Sequence, residues 1–199
     1  MPQTNGLSPA AGMSRRRMLT ALTAALAAPV LTRNLLGGQE GRSPQTERPP
    51  LEKLLNPEEW EQARQSPLAI ELDQMFGRGY SCAEAMLLAS LRQLKLSEER
   101  LWAAAGFGGG LGQKDLCGFL TGGIMGLGYA AGTLKLERKE ARKRCAEAGA
   151  AYWDWWKGSF PLRCADIRPA GSSGDVCRRL GAISAAKVNG LIDSIIAPA

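Results

Sequence analysis

Helix-start signals recur along this chain without a competing strand-pairing pattern, which restricts it to a helical fold. Asn56-Pro57-Glu58-Glu59 places a capping side chain before a proline at the first helical position, with two acids in the first turn. Ser66-Pro67 repeats the device. Ser81-Cys82-Ala83-Glu84 fits a capping box and opens an apolar helix over Ala85 to Leu94, while Gly79 suits a sharp turn just before it. A further helix is expected from about Ser97 to Ala105, and Asp115 is expected to cap the next one. Leu136 to Phe160 reads as a long helix, charged at its start and aromatic at its end. Asp175 is expected to cap the last helix, Val176 to Ile196, whose Leu180, Ile183, Val188, Leu191, Ile192 and Ile195 share one face. The reading is all-α, a compact bundle of about five to seven helices with a glycine-rich loop.

That loop is Gly106-Phe107-Gly108-Gly109-Gly110-Leu111-Gly112, a run of high backbone freedom. In the helix after it, Gly118, Gly122 and Gly126 fall four residues apart and leave a bare stripe along one face. A neighbouring backbone can approach such a stripe closely. Gly123 and Gly128 weaken the helix further on intrinsic propensity, so tertiary packing must hold it.

The chain divides into an address, a tether and one domain. Ser14-Arg15-Arg16-Arg17-Met18-Leu19, followed by the apolar run Thr20 to Leu31, resembles a twin-arginine export signal. The run is shorter than the roughly 20 residues of a membrane span. Ala25-Leu26-Ala27 has the small-x-small pattern that a signal peptidase reads, and an uncleaved segment would anchor the domain instead. The expectation is therefore a signal over residues 1–32 and export to the periplasm, through a Tat translocase that carries folded proteins. Residues 33–50 are rich in Gly, Pro, Gln, Ser and Arg and read as a flexible linker. The domain is expected over residues 51–199, a length suited to one hydrophobic core.

Charge argues against nucleic acid. The formal net charge is +6, but Arg15, Arg16 and Arg17 supply half of it from a segment without acids. Arg142, Lys143 and Arg144 are matched on their own helix by Glu137, Glu140 and Glu147, as on a solvated face.

The sequence has no histidine. Ser-His-Asp and Cys-His catalysis, histidine metal sites and the histidine ligand of an attached c-type haem are thereby removed. What remains for redox or metal chemistry is cysteine. Cys82, Cys117, Cys164 and Cys177 are separated by 35, 47 and 13 positions, so no C-x-x-C pair supports a thioredoxin-like or zinc-ribbon reading. Cys82, Cys117 and Cys177 are each expected in the first turn of a helix. Unpaired amides and the helix dipole favour the thiolate there and lower its pKa. Three such ends, converging, suit an anionic cluster; Cys164 adds a fourth sulfur from a loop, and Gly108, Gly109, Gly110 and Gly118 let backbone amides approach the sulfurs. Cys145 lies mid-helix on a face with Gly149, Tyr152 and Trp156, where a cysteine serves as a small hydrophobe.

Gly79-x-x-Cys82-Ala83, the triple glycine, Cys117-Gly118-x-x-x-Gly122, Cys164 and Cys177 occur here in an order that resembles the C-GCAxxG-C-C family of redox-active proteins, over about Leu68 to Ile196. Cys145 has no counterpart in that pattern. Phe119 stands where the family motif has alanine, and a ring at that position is expected to narrow access to Cys117. The family is also similar to the N-terminal region of split-Soret cytochromes. That resemblance implies an iron–sulfur cluster on Cys82, Cys117, Cys164 and Cys177 and a dimeric arrangement, while no haem motif is present. The expected role is an electron carrier or accessory subunit serving a partner oxidoreductase, rather than a stand-alone enzyme. Two alternatives stay open: a thiol-disulfide protein using Cys82 or Cys117 as the attacking thiol, and an interaction domain held by disulfides or a four-cysteine zinc site.

Overall fold

Caps written into the sequence open the first three helices. The side chain of Asn56 accepts from the Glu58 amide at 3.0 Å and starts α1 (Pro57–Ala63). Ser66 accepts from Ala69 at 3.2 Å and starts α2 (Pro67–Gly77). Both arms of the capping box form at α3 (Cys82–Gln93): the Ser81 amide donates to Glu84 Oε2 at 3.0 Å and the Glu84 amide to Ser81 Oγ at 3.4 Å. Gly79, at φ +88°, makes the turn that precedes it.

The structure is a computed structural model that describes residue 51, residues 55–170 and residues 174–197, all within one unit, Glu47–Ala199. The signal and linker expected over residues 1–50 lie outside the described residues. After α3 come a 3-10 stretch (Glu98–Phe107), a turn over Gly110–Lys114, α4 (Gly118–Thr133), α5 (Arg138–Ser159), the single-turn α6 (Cys164–Ile167) and α7 (Asp175–Ile196). The protein is all-α among the described residues. Its only extended pairing there is an isolated antiparallel bridge between Leu116 and Arg163.

Three boundaries differ from the sequence-based expectation. The segment after Ser97 is 3-10 rather than α, and the residues it turns to the core, Leu101, Ala104 and Phe107, recur every three positions, the 3-10 period. Asp115 caps no helix, because Cys117 itself stands at the N-cap of α4. Asp175 is the first residue of α7 rather than its cap, a place taken by Gly174.

Helix α4 runs through the middle and touches α3, α5 and α7. The glycine stripe does here what its spacing predicts. A Cβ at Gly122 would lie 2.6 Å from the Ala83 carbonyl oxygen, and one at Gly126 would lie 2.5 Å from Ser90 Oγ, so α3 and α4 meet nearly backbone to backbone. On another face, Gly123 leaves room for the Tyr152 ring of α5. Gly181 of α7 receives the ring of Phe119, which also stands 5.6 Å from that of Phe76. Tyr152, Trp156 and Phe160 are buried with these residues in the main core. Arg92 ties the outer elements together, its guanidinium donating to Glu98 at 2.8 Å and to Glu71 at 2.9 Å.

Candidate redox site at the head of α4

Two chain segments far apart in sequence are pinned side by side just before α4 and α6. The Cys117 amide donates to the Leu162 carbonyl at 2.9 Å, and the Cys164 amide donates to the Asp115 carbonyl at 2.6 Å. These bonds flank the Leu116–Arg163 bridge and set Cys117 and Cys164 at one edge. The Trp156 indole fixes the approach by donating to the Pro161 carbonyl at 2.9 Å. Cys164, expected in a loop, is instead the first residue of α6, where the bond to Asp115 holds its amide.

The glycine-rich run folds over this edge as a left-handed turn. Gly109, Gly110, Leu111 and Gly112 all have φ between 58° and 68°, and Lys114 has φ 59°. Leu111 and Lys114 occupy a region costing an ordinary residue roughly 1–2 kcal/mol, and such strain concentrates at functional sites. Space requires glycine too. A Cβ at Gly110 would lie 2.6 Å from the Asp115 nitrogen and 2.7 Å from Cys164 Cβ; one at Gly108 would lie 2.5 Å from Ser81 Cβ; one at Gly118 would collide with Cys82 Sγ.

These close approaches bring Cys82 against Gly118, the residue after Cys117, and Cys164 against Gly110. An ionised sulfur at Cys164 would raise the Cys82 pKa, at Cys82 or Cys177 that of Cys117, and at Cys82 or Cys164 that of Cys177. All are free thiols. The backbone amides of Gly109, Ala83 and Gly118 favour negative charge on the Cys82 sulfur, and those of Phe119 and Leu120 on the Cys117 sulfur; the Cys117 side chain itself makes no cap bond, and the Leu120 amide donates to the Cys117 carbonyl at 3.1 Å. Cys145 stands elsewhere, against Gly128. That is eleven residues along α4 from Cys117, or about 16 Å at the helical rise.

The lowered thiol pKa expected from helix ends is corrected by burial. Desolvation pushes the Cys117 thiol well up, the neighbouring Cys82 sulfur adds to that, and the Phe119 and Leu120 amides oppose it. Burial likewise raises Cys82 against the Gly109 amide, with Cys164 adding to the rise. Cys177 is raised by burial first, with Arg168 and Lys114 pulling it down and Cys82 and Cys164 pushing it up. The metal-free chain therefore favours thiols, and a bound cation would reverse that preference.

The chain matches, over residues 80–190, the family model described as putative redox-active protein, C_GCAxxG_C_C, which spans more than half its length and all four grouped cysteines. The chain belongs to the C_GCAxxG_C_C family. No curated protein and no solved structure matches it. In this C_GCAxxG_C_C protein, the ring of Phe119 packs against Phe76 and Gly181.

The donor chemistry, four thiols with amides that favour negative charge at two of them and glycines where a Cβ would fill the space, suits an anionic, sulfur-bound centre. Among the described residues, no group of three or more Cys, Asp or Glu side chains stands so that it could hold a metal ion. Sequence reasoning did not single out Lys114 and Arg168 as neighbours of Cys177, because their approach depends on the left-handed turn and on the chain beyond α6, neither of which has a local periodicity.

Proposed function

We propose that this chain is an electron carrier in which Cys82, Cys117, Cys164 and Cys177 hold an iron–sulfur cluster, and that it works in the periplasm beside a partner oxidoreductase. The observation that supports the reading is the backbone pairing of residues 115–117 with 162–164, which sets Cys117 beside Cys164, together with the close approach of Cys82 Sγ to Gly118 at the head of the same helix. Such a cluster, when bound, takes up and releases one electron at a time. The chain supplies sulfur ligands, nearby backbone amides that favour negative charge on them, and partial burial that keeps water away. Lys114 and Arg168 are exposed close to Cys177 and favour a partner with an acidic face. Export rests on the paired arginines, and a signal of that type fits a centre loaded before the folded protein crosses the membrane.

Burial weighs against thiol-disulfide exchange at Cys117. Its residue is only 4% exposed, whereas an attacking thiol must reach a substrate sulfur as thiolate.

Protein matured by its export route and purified without oxygen is expected to be brown, with visible charge-transfer absorption that bleaches on reduction. Colourless, metal-free protein with titratable thiols would overturn the cluster and favour exchange chemistry. Zinc in stoichiometric amount would support a structural site instead.

A further inference from the structure

Two guanidiniums lie over the ring of Trp60 in α1, that of Arg64 at 5.0 Å and that of Arg179 in α7 at 5.2 Å from its centre. The three side chains line a cleft of about 600 Å³ between α1, α2 and α7. Ala69, Ala182 and Ile70, the last 48% exposed, complete its apolar surface. That volume is ordinary for a small-molecule site, in which an apolar wall is joined to a few placed polar groups.

Most of the charge around the cleft is already matched. Arg178 meets Asp73 at 3.2 Å, and Arg64 meets Glu61 at 3.5 Å. Arg179 and Asp175 are the exception, since neither side chain has a hydrogen bond or an ion pair among the described residues. They stand one turn apart on α7 with the acid N-terminal to the base, the order that favours an i,i+4 pair. The pair nevertheless stays open. The Arg179 guanidinium rests over the Trp60 ring instead, where the indole attracts the cation and its N–H donors stay available.

These features select one class of ligand. A lone cation would suit any carboxylate, but an unpaired aspartate one turn away repels a second negative group and attracts an ammonium. A carboxylate and an ammonium carried on the same carbon are the head of an α-amino acid. In a peptide the two termini are separated by at least one further residue, about 3.8 Å between Cα atoms. The Trp60, Ile70 and alanine surfaces favour an apolar side chain, which gains from burial there. We propose that this cleft binds a free α-amino acid with an apolar side chain, Arg179 taking the carboxylate and Asp175 the ammonium. At 3.6 residues per turn, Cys177 lies on the opposite side of α7 from Asp175, Arg178, Arg179 and Ala182, so the proposal does not depend on a metal centre.

The test is titration of the purified full chain with L-leucine and with L-phenylalanine, read by calorimetry and tryptophan fluorescence. Both are expected to bind at millimolar concentration. Two analogues of leucine, 4-methylpentanoate without the ammonium and 3-methylbutylamine without the carboxylate, are expected to bind about tenfold more weakly. The same loss is expected for L-leucine in Arg179→Gln and in Asp175→Asn. Both positions are exposed, so the variants are expected to match the parent in far-UV circular dichroism. Lys143→Gln, on α5 and outside the cleft, is expected to bind like the parent. Absence of heat and of fluorescence change with either amino acid overturns the proposal. Binding of 4-methylpentanoate as tight as that of leucine marks a simple anion site and overturns it too, as does unchanged binding in Arg179→Gln and Asp175→Asn.

Discussion

Gly122→Ala is expected to destabilise the protein, whereas Gly149→Ala, the same change in another helix, is expected to stabilise it. Alanine is the better helix former by roughly 0.5–1 kcal/mol in a helix interior. At Gly149 nothing lies within 4 Å of the new Cβ, so that gain is realised. At Gly122 the Cβ would meet the Ala83 carbonyl oxygen at 2.6 Å and the Ala83 Cα at 3.1 Å. These are backbone atoms that no rotamer change can move, so α3 and α4 must part. Overpacking of this kind costs about 1–3 kcal/mol and outweighs the propensity gain. Thermal melts of the metal-free, reduced proteins read both signs, at roughly 2–4 °C per kcal/mol for a domain near this size. Separation of α3 from α4 also draws Cys82 from Cys117, so Gly122→Ala is expected to lose part of its cluster as well. Equal melting temperatures in Gly122→Ala and Gly149→Ala would show that the close approach is not what holds these helices.

Serine substitution of Cys82, Cys117, Cys164 or Cys177, one at a time, is expected to remove the visible chromophore, while Cys145→Ser keeps it. The prediction follows from the proposed four-cysteine ligand set, from the pairing that sets Cys117 beside Cys164 and Cys82 against Gly118, and from the distant position of Cys145 beside Gly128. Iron and acid-labile sulfide content, measured on anaerobically purified protein, give the result. Cys117→Ser buries a hydroxyl at a cost of about 1–3 kcal/mol, so its far-UV circular dichroism must be matched to the parent before the iron content is compared. Thiol exchange makes a different forecast, since only an attacking and a resolving cysteine would then matter. Loss of the chromophore in Cys145→Ser, or its survival in two of the other four variants, would contradict the assignment.

What the sequence made legible was local. Asn56, Ser66 and Ser81 act through amides two or three residues away, and those caps form as their spacing predicts. The stripe of Gly118, Gly122 and Gly126 is likewise a property of one helix, and its partner face on α3 proved to be the helix that begins at Cys82. The pairing of residues 115–117 with 162–164 was not legible. It joins segments nearly fifty residues apart through backbone bonds that leave no side-chain signature. The left-handed turn was visible only in part: the glycines announced backbone freedom, but nothing required Leu111 and Lys114 to adopt positive φ.

The thiol pKa values show a competition decided by tertiary structure. Helix ends and amides favour thiolates at Cys82 and Cys117, as position along the chain suggests. Desolvation prevails in both because the rest of the core closes over them, Cys117 most of all. Burial of that kind emerges only when α3, α4 and α7 are packed together.

Iron K-edge X-ray absorption on the anaerobically purified protein tests the central claim most directly. Four cysteines in a chain without histidine predict iron surrounded by sulfur alone, with neighbouring iron atoms in the second shell. Nitrogen or oxygen ligands to the iron, or a preparation that contains no iron, would contradict the account.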